Sequence, residues 1–290
     1  MSKATEKLIE GLFKTKAIRV CPADSPFWYT SGKIGPYYIN THFLYGSEDK
    51  ANALLSEIDI FKEDKPNCAD KLINIILNNY NEDYIFKNTI DTLVEEIKEA
   101  VPLNSFDYVS GGERRDWFFS LAASKLLGKP HITVFKDMDA YIHNNGKSER
   151  ISSLDGASVL HIADLITSAS SYERAWVPVI RKSDGIMKHS FVIIDRMQGG
   201  DELLNSLSVN SHALVHISED VFKGAVEKGY INKEQYNMVI RYMEDPDKFM
   251  EKFFKDNPEF IKKALGSDER TAQRAKLCLE SGFCPNPKGK

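Results

Sequence analysis

Apolar residues recur at helical spacing near the start of the chain, at Leu8, Ile9, Leu12, Phe13 and Ala17, and predict an amphipathic helix over residues 3–17. The next marked segment is Thr30-Ser31-Gly32-Lys33-Ile34-Gly35-Pro36-Tyr37-Tyr38-Ile39-Asn40, whose Gly and Pro signal a turn and whose aromatic, β-branched end signals entry into a strand. Residues 47–100 read as mainly helical, with apolar repeats in Ala69–Leu77 and Ile90–Ile97, interrupted at Pro66 and at the polar stretch Asn78–Asp83. From Phe106 the period changes. Phe106–Val109 reads as a strand, Arg115–Leu127 as a helix closed by Gly128 and Pro130, and Ile132–Phe135 as a second strand. Residues 136–156 are polar and contain Asn144-Asn145-Gly146, the mark of a mobile loop or a hairpin tip. Val159–Ile162 then reads as a strand, Ser170–Arg181 as a helix, and Phe191–Asp195 and Ala213–Ile217 as further strands. Strands alternating with helices predict an α/β fold with a largely parallel sheet. Beyond Ser218 the pattern is helical to about Leu279, with Pro246 and Pro258 as punctuation.

The 290 residues allow one large domain, or one domain plus an addition. Hydrophobic residues at 42% and charged residues at 28% describe a globular protein with a real core. A net charge of -4 and a pI near 6.0 argue against general affinity for nucleic acid, but leave room for a local cationic pocket for a phosphorylated small molecule. Met1–Lys16 lacks the apolar core of a signal peptide and no stretch is long enough to span a bilayer, so the expected location is cytoplasmic, with no membrane partner. Cys21, Cys68, Cys278 and Cys284 fit no zinc spacing and are expected as unpaired thiols.

The segment with most chemistry is Val159-Leu160-His161-Ile162-Ala163-Asp164-Leu165-Ile166-Thr167-Ser168-Ala169-Ser170-Ser171. An apolar strand runs through an acidic residue into a Thr/Ser-rich turn before a helix. The helix start offers unpaired N–H groups and a positive dipole end, which suit a phosphate. Thr167, Ser168, Ser170 and Ser171 add hydroxyls at the same point, and Asp164 can accept hydrogen bonds from sugar hydroxyls. The same residues also suit an N-capped helix after a buried strand.

This strand, acidic residue and turn resemble the ribose-phosphate motif of the type I phosphoribosyltransferases. Two further segments bring the resemblance to the orotate phosphoribosyltransferases. Thr30–Asn40 is similar to that family's early Ser-Gly-basic-x-Ser-Pro-Tyr-aromatic signature, which packs beside the pyrimidine. Phe191-Val192-Ile193-Ile194-Asp195-Arg196-Met197-Gln198-Gly199-Gly200 is similar to its strand ending in Asp-Arg, whose arginine grips orotate; read alone, Asp195-Arg196 is also an ordinary surface ion pair. Gly111-Gly112-Glu113-Arg114-Arg115-Asp116 stands where the family has its pyrophosphate loop, and equally suits a solvated charge run at a helix start.

The resemblance implies a type I phosphoribosyltransferase fold, a mainly parallel sheet flanked by helices. Here it would occupy residues 1–218, with a helical insertion at about 59–90 and a helical C-terminal extension over 219–290. It also implies a homodimer in which one subunit's loop reaches its neighbour's site. The implied reaction joins orotate and phosphoribosyl pyrophosphate to give orotidine 5'-monophosphate, with Mg2+ bound through the phosphoribosyl pyrophosphate. The implied roles are catalytic for Lys136 and Asp164, and substrate-binding for Tyr37, Tyr38, Arg196, Thr167, Ser168, Ala169, Ser170, Ser171, Arg114 and Arg115.

The sequence departs from the family at several of these places. Ala163 stands at the first acidic position of the motif and Ala169 at a usual glycine. In the loop after the second strand Lys136 matches, but Phe135 replaces an arginine, Asp139 a lysine and Tyr141 a histidine; Thr30 stands where a lysine is frequent. A negative charge at Asp139 is expected to oppose pyrophosphate, and His143, Lys147 and Arg150 are the nearby replacements, or members of a solvated loop. Two classes of function follow: a transferase for orotate or a different base, and a nucleotide-binding regulatory protein that has lost efficient turnover.

Overall fold

The computed structural model describes residues 3–22 and 24–284, which fall into two compact units. One comprises residues 3–17 and 40–217, the other residues 18–39 and 218–284. Among the described residues no helix is long and apolar enough to cross a membrane.

The first unit begins with helices α1 (Lys3–Lys14), α2 (Glu48–Phe61), α3 (Lys65–Glu82) and α4 (Tyr84–Ala100). The apolar stripe of α1, with Leu8, Leu12 and Phe13, is buried. The interruption expected at Asn78–Asp83 narrows to a single residue. Helix α3 runs through Glu82 because Asn79 is buried usefully, its side-chain amide donating to the Tyr45 carbonyl at 2.7 Å. Asp83 then caps α4 by accepting from the N–H groups of Ile85 and Phe86 at 3.0 and 3.1 Å. Pro66 lies in the first turn of α3, where a missing N–H costs nothing.

Seven strands form one sheet: β1 (Tyr108–Gly112), β2 (His131–Val134), β3 (Ala140–Asn144), β4 (Lys147–Arg150), β5 (Ser158–Ile166), β6 (Ile186–Asp195) and β7 (Asn210–His216). Their order is β7-β6-β5-β1-β2-β3-β4; the pairs from β7 to β2 are parallel, and β3 and β4 add antiparallel. Helices α5 (Trp117–Leu126), α6 (Val177–Lys182) and α7 (Gly200–Ser206) complete the unit. Residues 117–124 of α5 are all buried, as suits a helix without a polar face. The polar stretch after β2 is the β3–β4 hairpin, turning at Asn145 (φ 48°) and Gly146 (φ 77°), the paired positive angles of a tight two-residue turn.

Chain order reverses between β1 and β5: β1 to β4 build outward on one side and β5 to β7 on the other. A reversal of this kind leaves a crevice at the carboxyl ends of the two central strands, where ligands of open α/β sheets bind.

The second unit pairs Ile18–Val20 with Tyr37–Ile39 and Phe27–Trp28 with Ile34–Gly35, both antiparallel, and adds helices between Glu219 and Glu280. Its core gathers around Trp28, which stacks on Phe260 with centroids 5.6 Å apart and planes 15° from parallel. Arg274 closes over it, donating to the Trp28 carbonyl at 2.7 Å. Cys278 and Cys284 are free thiols buried in the same core, and burial pushes both pKa values up. Trp28→Ala is expected to cost about 3–5 kcal/mol of stability, the usual range for emptying a core of this kind, and equilibrium urea unfolding measures it.

Candidate functional site

Pairing between β1 and β5 ends at Ser110 and His161, and beyond that register the strands diverge. The carboxylate of Asp116 spans the gap. Its Oδ2 accepts the Gly112 N–H at 3.1 Å and its Oδ1 the Asp164 N–H at 3.0 Å. Two backbone donors at the splayed strand ends are thereby satisfied by the side chain of one residue that is itself 8% exposed. Below it lies His161, fully buried, with Nδ1 2.9 Å from Ser110 Oγ and Nε2 3.7 Å from Asp116 Oδ2. Tyr172 and Trp176 pack their rings on this imidazole, and the Tyr172 hydroxyl lies 2.6 Å from Ser190 Oγ. The histidine in an otherwise apolar run is thus a hydrogen-bonded core group.

Gly112 has a steric reason. A Cβ there would lie 2.3 Å from the Trp176 ring, so only glycine lets the helix pack this close to the strand end.

Above this floor is an open cavity of about 400 Å3. Glu113, Arg114 and Arg115 border it from the loop after β1, Lys136 from the end of β2, and residues 163–171 from β5 and its turn. The Glu113–Arg114 peptide is cis. Helical geometry begins at residue 170 and widens into a π turn over Tyr172–Trp176 before α6. Ala169 adopts φ 51°, the left-handed region, at a cost of about 1 kcal/mol or a little more for a residue with a Cβ. The turn keeps the backbone form of a glycine loop without the glycine. Arg174 folds back along the turn, its Nε donating to the Ser170 carbonyl at 3.1 Å.

Burial raises the Asp164 pKa to about 8; the Asp116 carboxylate pushes the same way and the Arg115 guanidinium opposes both. Arg114 is paired with Asp59 of α2, while Lys62 reaches Asp59 at 2.9 Å and Glu113 at 3.4 Å. Glu113 in turn accepts the Lys136 N–H at 3.0 Å, which fixes the backbone from which the exposed Lys136 side chain borders the cavity.

Asp139 does not act as the open negative charge expected from the sequence. Lys65 of α3 pairs with it at 2.7 Å and with Asp137, and Arg150 pairs with it from β4. His143 is buried, with Nδ1 3.0 Å from Ser148 Oγ and Nε2 3.1 Å from Asp70, and burial lowers its pKa. Neither His143 nor Arg150 is therefore a spare group on a loose loop. Lys147 stands exposed beside the hairpin turn.

Of the residues singled out from sequence, Arg114, Arg115, Lys136, Asp164 and Thr167–Ser171 come together at the one cavity. Arg196 follows β6, and its N–H donates to the Ile166 carbonyl at 3.1 Å, beside the start of the turn. Tyr37 and Tyr38 belong to the second unit, where Tyr37 is buried against Phe222 and Tyr242, and Tyr38 meets Phe27 and Tyr29. Asp116, Tyr172 and Trp176 are not marked by the sequence. Asp116 lies inside a segment that reads as a charge run, and nothing local signals its bond to a residue 48 positions away.

No family model matches the sequence. Among curated proteins the chain is similar to an orotate phosphoribosyltransferase of Sulfolobus acidocaldarius, 23% identical over 222 residues, covering 75% of this chain and 88% of the relative. An orotate phosphoribosyltransferase of Staphylothermus marinus is 26% identical over 243 residues, covering 82% and 94%. Among solved structures, the UMP synthase of Leishmania donovani superposes with a TM-score of 0.55 at 17% identity, covering 82% of this chain and 41% of that one, so this chain spans less than half of that protein. The orotate phosphoribosyltransferase of Francisella tularensis gives a TM-score of 0.51 at 14% identity, covering 81% and 96%. The fold is the one these structures share.

The Asp164 carboxyl makes a pH test. Unfolded, it releases its proton near the ordinary value of about 4; folded, it holds that proton until about 8. The folded state therefore binds a proton that the unfolded state has released, and stability falls as pH rises across this window. Asp164→Asn removes the effect. The variant is expected to gain on the parent in melting temperature between pH 4 and pH 8, which thermal unfolding at several pH values measures.

Proposed function

We propose that this chain, an orotate phosphoribosyltransferase-like member of the type I phosphoribosyltransferases, transfers the phosphoribosyl group of phosphoribosyl pyrophosphate to orotate, releasing pyrophosphate. One observation carries the reading: the Asp164–Ser171 turn, the basic loop after β1 and Lys136 all face one cavity at the point where strand order reverses.

In this reading the 5-phosphate of the sugar rests on Thr167–Ser171, where hydroxyls and the helix start supply donors. Asp164 meets the sugar hydroxyls. Arg114, Arg115 and Lys136 hold the pyrophosphate and stabilise the charge it gains as the anomeric C–O bond breaks. A ring nitrogen of orotate forms the new C–N bond and gives up its proton to solvent. Magnesium, brought with the substrate, would supply further neutralisation of the departing pyrophosphate's charge, beside Arg114, Arg115 and Lys136 at the same cavity. Arg196 holds the orotate carboxylate by two parallel hydrogen bonds, a geometry a lysine lacks.

A second reading, nucleotide binding without turnover, is favoured by one observation. Within residues 136–150, Lys136 is the one cation bordering the cavity, and Arg150 is occupied by Asp139. A transferase assay with orotate, Mg2+ and phosphoribosyl pyrophosphate separates the two: turnover is expected, and absence of turnover with intact orotidine 5'-monophosphate binding establishes the second reading. Lys136→Ala is expected to lower kcat by ~10²–10³, as removal of one charge-stabilising donor does. Arg196→Ala is expected to weaken pyrimidine binding far more than ribose-phosphate binding, and equal loss of both overturns the role given to Arg196.

A further inference from the structure

The acidic pair of the sugar motif is incomplete along the chain, because Ala163 precedes Asp164. In space a second carboxylate is present. Asp116, at the start of α5, reaches across the diverging strands and borders the same cavity as Asp164. We propose that Asp116 takes over the place left by Ala163, a positioning residue that fixes Asp164 for the sugar hydroxyls of a phosphorylated pentose. The inference rests on the functional reading above and adds to it a residue from a separate loop.

Three features of the geometry support it. Asp116 holds the Asp164 backbone directly through the N–H···Oδ1 bond at 3.0 Å, and holds the neighbouring strand end through Gly112 at 3.1 Å. It is buried, with His161 Nε2 3.7 Å from its Oδ2. Its charge also acts on its neighbour: Asp164 faces Asp116 and Arg115 from the loop after β1, Tyr172 from the helix, and Lys136 across the cavity. Asp116 and Arg115 act on it in opposite directions, Asp116 adding to burial in keeping it protonated. A neutral carboxyl can donate to a sugar oxygen, and an ionised one accepts from hydroxyls, so the paired carboxylate decides which face the sugar meets.

The test compares the full-length protein with its Asp116→Asn variant. The Asp164 carboxyl is titrated by carbon-13 NMR, and calorimetry measures ribose 5-phosphate, 2-deoxyribose 5-phosphate and inorganic pyrophosphate. In the parent, ribose 5-phosphate is expected to bind roughly tenfold tighter than the deoxy sugar, in keeping with one hydrogen bond to a charged or strongly polar partner. In Asp116→Asn that preference collapses, pyrophosphate binding is not weakened, and the Asp164 titration moves down by roughly a unit or more as the like charge is removed.

An unchanged sugar preference with an unmoved titration overturns the proposal, as does equal loss of pyrophosphate and both sugars, which marks a merely structural role. If Asp116→Asn fails to fold, Asp116→Glu keeps the charge on a longer arm. The proposal then requires Asp164 to stay protonated to high pH while the ribose preference is lost, and a retained preference overturns it. Failure of the parent itself to bind ribose 5-phosphate overturns the functional reading, and this sugar role with it; that outcome is distinct from parent and variant binding alike.

Discussion

A parallel sheet that reverses its strand order must spread its two central strands, and strands that spread leave backbone N–H groups without partners. Here the Asp116 carboxylate answers both, and the rest of the site is arranged around it. Burying a carboxylate is costly unless it is hydrogen-bonded, and two amide donors on one side chain meet that condition while holding the strand ends at a fixed separation. Gly112 can then stay bare for Trp176, the helix can pack low, and the cavity forms above rather than filling with side chains. That one side chain thus ties the end of β1 to the end of β5.

A second set of contacts holds the rim. The corner between α2 and α3 supplies Asp59, Lys62 and Lys65, which reach Arg114, Glu113 and the Asp137–Asp139 segment. Exposed ion pairs contribute little singly, about 0–1 kcal/mol each. As a linked set on half-buried side chains their effect is geometric: two loops that border the cavity are tied to one helical corner. The charge reversal at Asp139 makes sense in that setting, since the residue anchors the hairpin through Lys65 and Arg150. The helices over residues 48–100 are in this respect a member of the site's frame.

The features of the fold legible in the sequence are those whose signal is local. The β5 strand, its Thr/Ser turn and the following helix stand where the apolar run and the hydroxyl cluster place them, and the Asn145-Gly146 turn is written in two residues. Strand limits are less legible, because β5 and β6 extend through polar positions whose pairing with neighbours replaces apolar burial. Helix α7 leaves no mark in the pattern, since a helix with only Gly200 and Leu204 buried has no periodicity to read. What spacing along a chain does not carry is contact across it. The bond from Asp116 to Asp164 and the stacking of Trp28 on Phe260 both depend on the finished topology. Ala169 teaches the converse, for the substitution of a glycine suggests an altered turn, yet its backbone holds the left-handed angle.

The tryptophan that borders the cavity has a practical meaning. The chain contains three: Trp28 sits stacked in the core of the second unit, Trp117 is fully buried with its indole N–H bonded to the Gly111 carbonyl, and Trp176 borders the cavity. An anion settling on Thr167–Ser171 would change the field around the third indole. The indole of Trp176 is thereby placed to report, in unlabelled material, on what enters the cavity beside it.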